Sequence, residues 1–169
     1  EAIDKDIALM MSYGVEVKAD LSVRFGRDWR LALKGNYAWT PSINYGDPVN
    51  WADESIGKQL VYVPRNSAAV TGRLDWRSWS LGYEWTYYDK RYTTSSNETA
   101  TRFDELGEYF MSDVWLEKRF AFRWADMSFK GVVRNLFNEE YESVLARPMP
   151  RMNFEFFIGI KPKFPSRKK

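Results

Sequence analysis

From Val15 the chain alternates strictly. Val15, Val17, Ala19, Leu21, Val23 and Phe25 are apolar, and Glu16, Lys18, Asp20, Ser22 and Arg24 lie between them. A period of two places each set on its own face of a β-strand. The parity extends upstream through Ile7, Leu9, Met11 and Tyr13, and Gly26-Arg27-Asp28 turns the chain. A second strand sets Trp29, Leu31, Leu33, Gly35, Tyr37 and Trp39 against Arg30, Lys34 and Asn36. The third carries Tyr62, Pro64, Ala68, Val70, Gly72, Leu74 and Trp76 opposite Arg65, Ser67, Thr71, Arg73 and Asp75. After the minimal turn Arg77-Ser78, a fourth opposes Trp79, Leu81, Tyr83, Trp85 and Tyr87 to Ser80, Glu84, Thr86 and Tyr88. The fifth, from Phe110 to Trp124, is less regular, because Ser112 and Lys118 fall on its apolar face. Ala125-Asp126 is read as the turn into a sixth strand with Met127, Phe129, Gly131 and Val133 on one face. A seventh runs from Met152 to Phe164.

The connections alternate short and long, the long ones spanning about Thr40–Lys58, Asp89–Glu108 and Asn135–Pro150. Barrels of outer-membrane type combine tight periplasmic turns with long outside loops. Eleven residues at about 3.3 Å each, tilted near 45°, rise about 26 Å, which matches the roughly 25 Å apolar band of such barrels. Aromatic residues sit at both strand ends: Phe25, Trp29, Trp76, Trp79 and Trp124 beside short turns, and Tyr37, Trp39, Tyr62, Tyr87 and Phe110 near long loops. Amphipathic rings favour the two membrane interfaces. The opposite face is charged on nearly every strand, which a packed soluble interior rejects and a watery lumen accepts. The expected fold is all-β: a transmembrane antiparallel β-barrel wall of about seven strands, with the lipid bilayer against its apolar face.

Composition alters this reading little. Of the 169 residues, 44% are hydrophobic and 17% aromatic. No run approaches the roughly 18 apolar residues of a membrane-crossing helix. Cys and His are both absent, which removes disulfides, thiolate metal sites and the commonest general base. No nucleophile–base pair and no phosphate-cradling glycine loop is present, so neither enzyme chemistry nor a cofactor or metal is expected. The net charge of +2 gives no footprint for nucleic acid. Glu1, Asp4, Lys5 and Asp6 break any apolar signal core. An export signal is therefore expected on sequence outside these residues, with the chain a part of something longer.

Short motifs then carry a family resemblance. Asn135-Leu136-Phe137-Asn138-Glu139-Glu140-Tyr141 resembles the NLF(D/N)xxY signature that precedes the last strand of TonB-dependent receptors. Arg147-Pro148-Met149-Pro150-Arg151 resembles the loop that follows it, without the glycine usual there. Gly159 to Phe164 resembles the terminal signal read by the barrel-assembly machinery. It differs in having Pro162 where an aromatic is usual, and in the five residues that follow Phe164. Tyr13-Gly14-Val15-Glu16 resembles a strand opening found well inside such barrels.

The resemblance implies a C-terminal piece of a 22-strand barrel, with an N-terminal plug and the remaining strands supplied from elsewhere. It also implies coupling to the TonB system through the plug, and import of siderophores, haem, cobalamin or oligosaccharides; the loop at Arg147 leans toward siderophores and cobalamin. Residues 1–164 are read as barrel and 165–169 as a basic tail. The loops around Asn44–Gly57, Tyr92–Gly107 and Tyr141–Arg147 are expected at the cell surface, with Tyr45, Trp51, Asp53, Tyr92, Arg102, Phe103 and Arg147 as ligand-binding candidates. Asn135, Leu136, Phe137, Tyr141 and Phe164 carry the family motifs. A small, complete barrel with a structural or adhesive role is the alternative, disfavoured by the odd strand count.

Overall fold

The computed structural model describes residues 10–163, and these contain strands, turns and loops but no helix. In chain order the strands are β1 (Met10–Ser12), β2 (Val15–Phe25), β3 (Trp29–Trp39), β4 (Ser42–Asn44), β5 (Asn66–Trp76), β6 (Trp79–Tyr88), β7 (Arg91–Tyr92), β8 (Glu105–Leu106), β9 (Tyr109–Ala121), β10 (Ala125–Arg134), β11 (Glu142–Val144), β12 (Arg147–Pro148) and β13 (Asn153–Pro162). The long strands form one seven-stranded sheet in the order β2-β3-β5-β6-β9-β10-β13, with every pair antiparallel. The short strands pair two by two at the long-loop end.

Register converts the alternation of each strand into continuous rows. Val23, Leu31, Leu74, Leu81, Leu116, Gly131 and Phe156 stand opposite one another across all seven strands. Two residues nearer the short turns runs a second row: Phe25, Trp29, Trp76, Trp79, Lys118, Phe129 and Ile158. Its rings touch, with Phe25 and Trp29 stacked at 5.9 Å and Trp29 and Trp76 at 5.6 Å. At the other end Tyr37, Ala68, Tyr87 and Phe110 align, and Tyr37 donates to Asn66 Oδ1 at 2.7 Å. The aliphatic band thus lies between two aromatic belts, as expected.

The opposite face holds the charges in pairs. Arg73 bridges to Asp75 at 2.9 Å, Arg119 to Glu117 at 3.0 Å, and Arg134 to both Asp113 (3.0 Å) and Glu155 (2.7 Å). Trp115 lies among them, with Lys130 4.6 Å and Arg73 5.7 Å from its ring centre. Asp75, Asp113, Glu117 and Glu155 are thus paired with arginines along this face.

Neither face of the sheet is covered. Among the described residues the buried hydrophobic side chains are Leu106, Ala125 and Val132, whereas Val15, Val17, Leu21 and Ile158 are each more than half exposed. A water-soluble sheet buries its apolar face under a second layer; here that face stands bare. β2 and β13 have one neighbour each, leaving two rows of unpaired backbone groups at the edges.

Several boundaries differ from the sequence expectation. The parity before Val15 does not make one strand: Tyr13 and Gly14 interrupt it, and Met10–Ser12 leaves the sheet to pair with Ser42–Asn44. Ile7 and Leu9 lie outside the described residues, as do Phe164 and the basic tail. Tyr62 and Pro64 belong to the loop; Tyr62 has φ +61° and β5 begins at Asn66. Ala125-Asp126 is strand. The turn is Phe122–Trp124, closed by Phe122 N–H on Ala125 C=O at 2.9 Å, and Ala125 pairs with Pro162. Aromatic residues that continue a parity past the strand end hide such a turn.

Candidate functional site

The three long connections, residues 40–65, 89–108 and 135–152, meet at one end of the sheet and are bonded to one another. Gln59, 2% exposed, and Asn97 exchange two bonds: Gln59 N–H donates to Asn97 Oδ1 at 2.7 Å, and Asn97 Nδ2 donates to Gln59 C=O at 2.8 Å. Tyr62 N–H reaches the Tyr92 carbonyl at 2.8 Å. Arg91, 5% exposed, joins the second loop to the third, its guanidinium donating to the carbonyls of Glu142 at 2.9 Å and Ser143 at 3.5 Å. It also lies 5.0 Å from the ring centre of Tyr109. Tyr109 stacks on Tyr88 at 5.3 Å and on Tyr141 at 4.5 Å, so three rings and one cation form a single column.

The family-motif segment builds the base of this cluster. Asn135, 2% exposed and at φ +51°, donates from Nδ2 to Glu139 C=O at 2.9 Å and accepts from Glu139 N–H at 2.8 Å. Its own N–H donates to Asp113 Oδ1 at 2.9 Å. Leu136 N–H donates to the Ser112 carbonyl at 2.7 Å, and Asn138, at φ +56°, accepts from Met152 N–H. Asparagine tolerates this backbone region and bonds its own turn, which explains the residue type at both positions. Phe137 is 65% exposed, so the aromatic of the motif presents its ring outward.

Beside the column opens a cleft of about 370 Å³ whose walls include Arg102, Glu108, Tyr109, Glu140, Tyr141 and Arg151. Arg151 pairs with Glu140 across its rim. Burial pushes the Tyr141 hydroxyl above its usual range.

The predicted site residues divide among the three loops. Arg102 lines the cleft and its guanidinium lies 4.7 Å from the Phe103 ring centre. Tyr92 sits in β7, one residue from Arg91, and Arg147 is exposed on β12, next to the cleft residue Pro148. Tyr45 and Trp51 project from the first loop, Trp51 being 99% exposed. Asp53 is a turn holder: it accepts from the Ser55 hydroxyl at 2.6 Å and from the Val49 and Ser55 N–H groups, and these bonds hold its carboxyl below the usual range. Sequence reading missed Gln59, Arg91 and Asn97, whose roles depend on contacts between loops. Tyr88 and Tyr109 were findable, since each is an aromatic on the charged parity.

Against known proteins, the family model described as "TonB dependent receptor-like, beta-barrel" matches residues 8–136. The chain belongs to this family. Among solved structures it is similar to the siderophore receptor PiuA from Acinetobacter baumannii, at TM-score 0.60 and 14% identity, covering 90% of this chain and 22% of that one. It is also similar to BauA, the ferric preacinetobactin receptor from Acinetobacter baumannii, at TM-score 0.58 and 12% identity, covering 89% of this chain and 27% of that one. At such identity the likeness is one of fold, and the chain spans about a quarter of either receptor. Among curated protein sequences none matches it. The seven-stranded sheet is thus barrel wall of a TonB-dependent receptor type, and the family is one of transporters.

Proposed function

We propose that this chain supplies wall strands and cell-surface loops to a receptor that imports an iron chelate of siderophore type across a bacterial outer membrane, energised through TonB. One observation carries the reading: three long loops are bonded into one cluster above a barrel wall, and the second and third of them enclose a cleft walled by stacked tyrosines and paired charges. Such walls suit a flat, polar, multiply oxygenated ligand, because rings give contact area at low entropy cost and arginine meets anionic oxygens. The likeness to PiuA, a siderophore receptor, and BauA, a ferric preacinetobactin receptor, supports that ligand class over cobalamin. Arg102 and Tyr141 contact the ligand directly in this reading, with Phe103 and Arg147 at the rim and Tyr45 and Trp51 making the first encounter.

The apolar face meets lipid, and the charged face lines the lumen. The two open edges are completed by further strands, since unpaired backbone groups facing hydrocarbon cost several kcal/mol each. A plug inside the lumen and the barrel-assembly machinery are the other partners.

Uptake of radiolabelled ferric siderophores by iron-starved cells tests the import reading. Uptake should require both the protein and TonB, and Arg102→Ala with Tyr141→Ala should weaken binding without lowering the protein level. Uptake unchanged by deletion of the protein, across hydroxamate and catecholate chelates, would refute it.

A further inference from the structure

On the apolar face of the seven long strands every described residue is uncharged except one, Lys118. It stands in the aromatic row, opposite Trp79 on one side and Phe129 on the other. Its ammonium lies 4.5 Å from the Trp79 ring centre and 5.6 Å from that of Phe120. It donates to Ser78 Oγ at 2.6 Å, and among the described residues no carboxylate is within ion-pair distance. The belt's neighbouring cation differs. Arg77, 5.3 Å from the Trp76 ring centre, is neutralised by Asp28 at 3.0 Å. Among the described residues, Lys118 thus stands on the apolar face without a carboxylate partner.

A cation placed on a lipid-facing surface is costly at the bilayer midplane and nearly free at the interface, where it reaches headgroup oxygens. Lys118 sits two residues from the aliphatic row of Leu116, among rings that mark the interface. Its spare N–H groups and the Ser78 hydroxyl, already accepting from it, offer two donors to one acceptor group. The rings on either side favour a cation by their π faces but cannot neutralise it. A tetrahedral anion completes the arrangement.

We propose that Lys118 and Ser78, flanked by Trp79 and Phe120, bind the phosphate of an anionic phospholipid in the leaflet at the short-turn end of the wall. The inference rests on the reading that the apolar face meets lipid. One lipid held here fixes the depth of the wall at that end, since the strand cannot slide without drawing the headgroup into hydrocarbon.

Native mass spectrometry of the whole protein, extracted from its membrane in mild detergent, tests the site with added phosphatidylglycerol, phosphatidylcholine or inorganic phosphate. Wild type should retain phosphatidylglycerol in preference to phosphatidylcholine. Lys118→Gln should weaken that binding roughly fivefold, the effect of one lysine near an anionic surface, and Lys118→Arg should keep it. Equal phosphatidylglycerol retention by wild type and Lys118→Gln would overturn the site, as would displacement of the lipid by inorganic phosphate at comparable concentration. Membrane insertion is read separately, by resistance to alkaline carbonate. Extraction of the wild type would sink the membrane reading itself, whereas insertion with no lysine-dependent lipid sinks only the site.

Discussion

The indole of Trp115 lies directly over Gly82 of the neighbouring strand. A Cβ built at Gly82 would stand 2.0 Å from Trp115 Cε2, and the ring has Lys130 and Arg73 near its faces. Glycine here makes room for a cross-strand side chain, a requirement distinct from backbone freedom. Gly82→Ala should therefore destabilise the folded wall by about 1–3 kcal/mol, the usual cost of overpacking. Trp115→Leu in the same chain should restore most of that loss. Urea unfolding in detergent, run on the two single variants and the double, checks it; additive losses would show that the contact is not the cause.

Asn135 is the buried hinge of the motif segment. Asn135→Ala removes three side-chain bonds, two with Glu139 and one to the Pro150 carbonyl, and leaves alanine at φ +51°. Unpaired buried groups cost about 1–3 kcal/mol and an ill-suited left-handed residue a similar amount. The loss should exceed that of Asn135→Gly, which gives up the bonds but not the conformation. Equal stability of wild type and Asn135→Ala in the same unfolding assay would contradict this role.

The bond pair between Gln59 and Asn97 should couple the first two loops. Asn97→Ala ought to expose both residues 45–58 and 93–104 to protease, because its side chain makes both bonds to the Gln59 backbone. Arg91→Ala should extend the cutting into 140–147, because the guanidinium holds the carbonyls of Glu142 and Ser143. Cutting confined to the mutated loop would show that the loops fold separately.

Much of the wall could be read from the chain alone. The starts and ends of β3 and β6, and the end of β2, fell where parity met turn residues, because each strand has one face against each medium along its whole length. The errors lie where that rule lapses. Phe122 and Trp124 keep the parity yet form the turn, and Ala125 looks like a turn residue but pairs with Pro162. Lys118, an irregularity in the pattern, proved a placed cation among rings. The loop cluster was legible only as composition. Arg102 and Tyr141 share a cleft because of pairings such as Arg91 with Glu142, which no periodicity encodes.

Charge substitution should separate the two faces. Leu81→Arg, in the middle of the aliphatic row, is expected to cost roughly 2–4 kcal/mol of folded stability in a bilayer, whereas a charge at Thr71 on the other face should cost little. The yield of heat-resistant folded protein in lipid vesicles, titrated with urea, reports the difference. Similar losses at both sites would argue against a lipid-facing row.

The most direct test of the whole account is nitroxide scanning along Val15–Phe25 in the membrane-embedded protein, reading collisions with oxygen and with a water-soluble nickel chelate. Val15, Val17, Leu21 and Val23 should favour oxygen, and Glu16, Lys18, Asp20 and Ser22 should favour the chelate or be shielded from both. Chelate access at every position, or the two sets exchanged, would contradict the reading of this sheet as the wall of a membrane barrel.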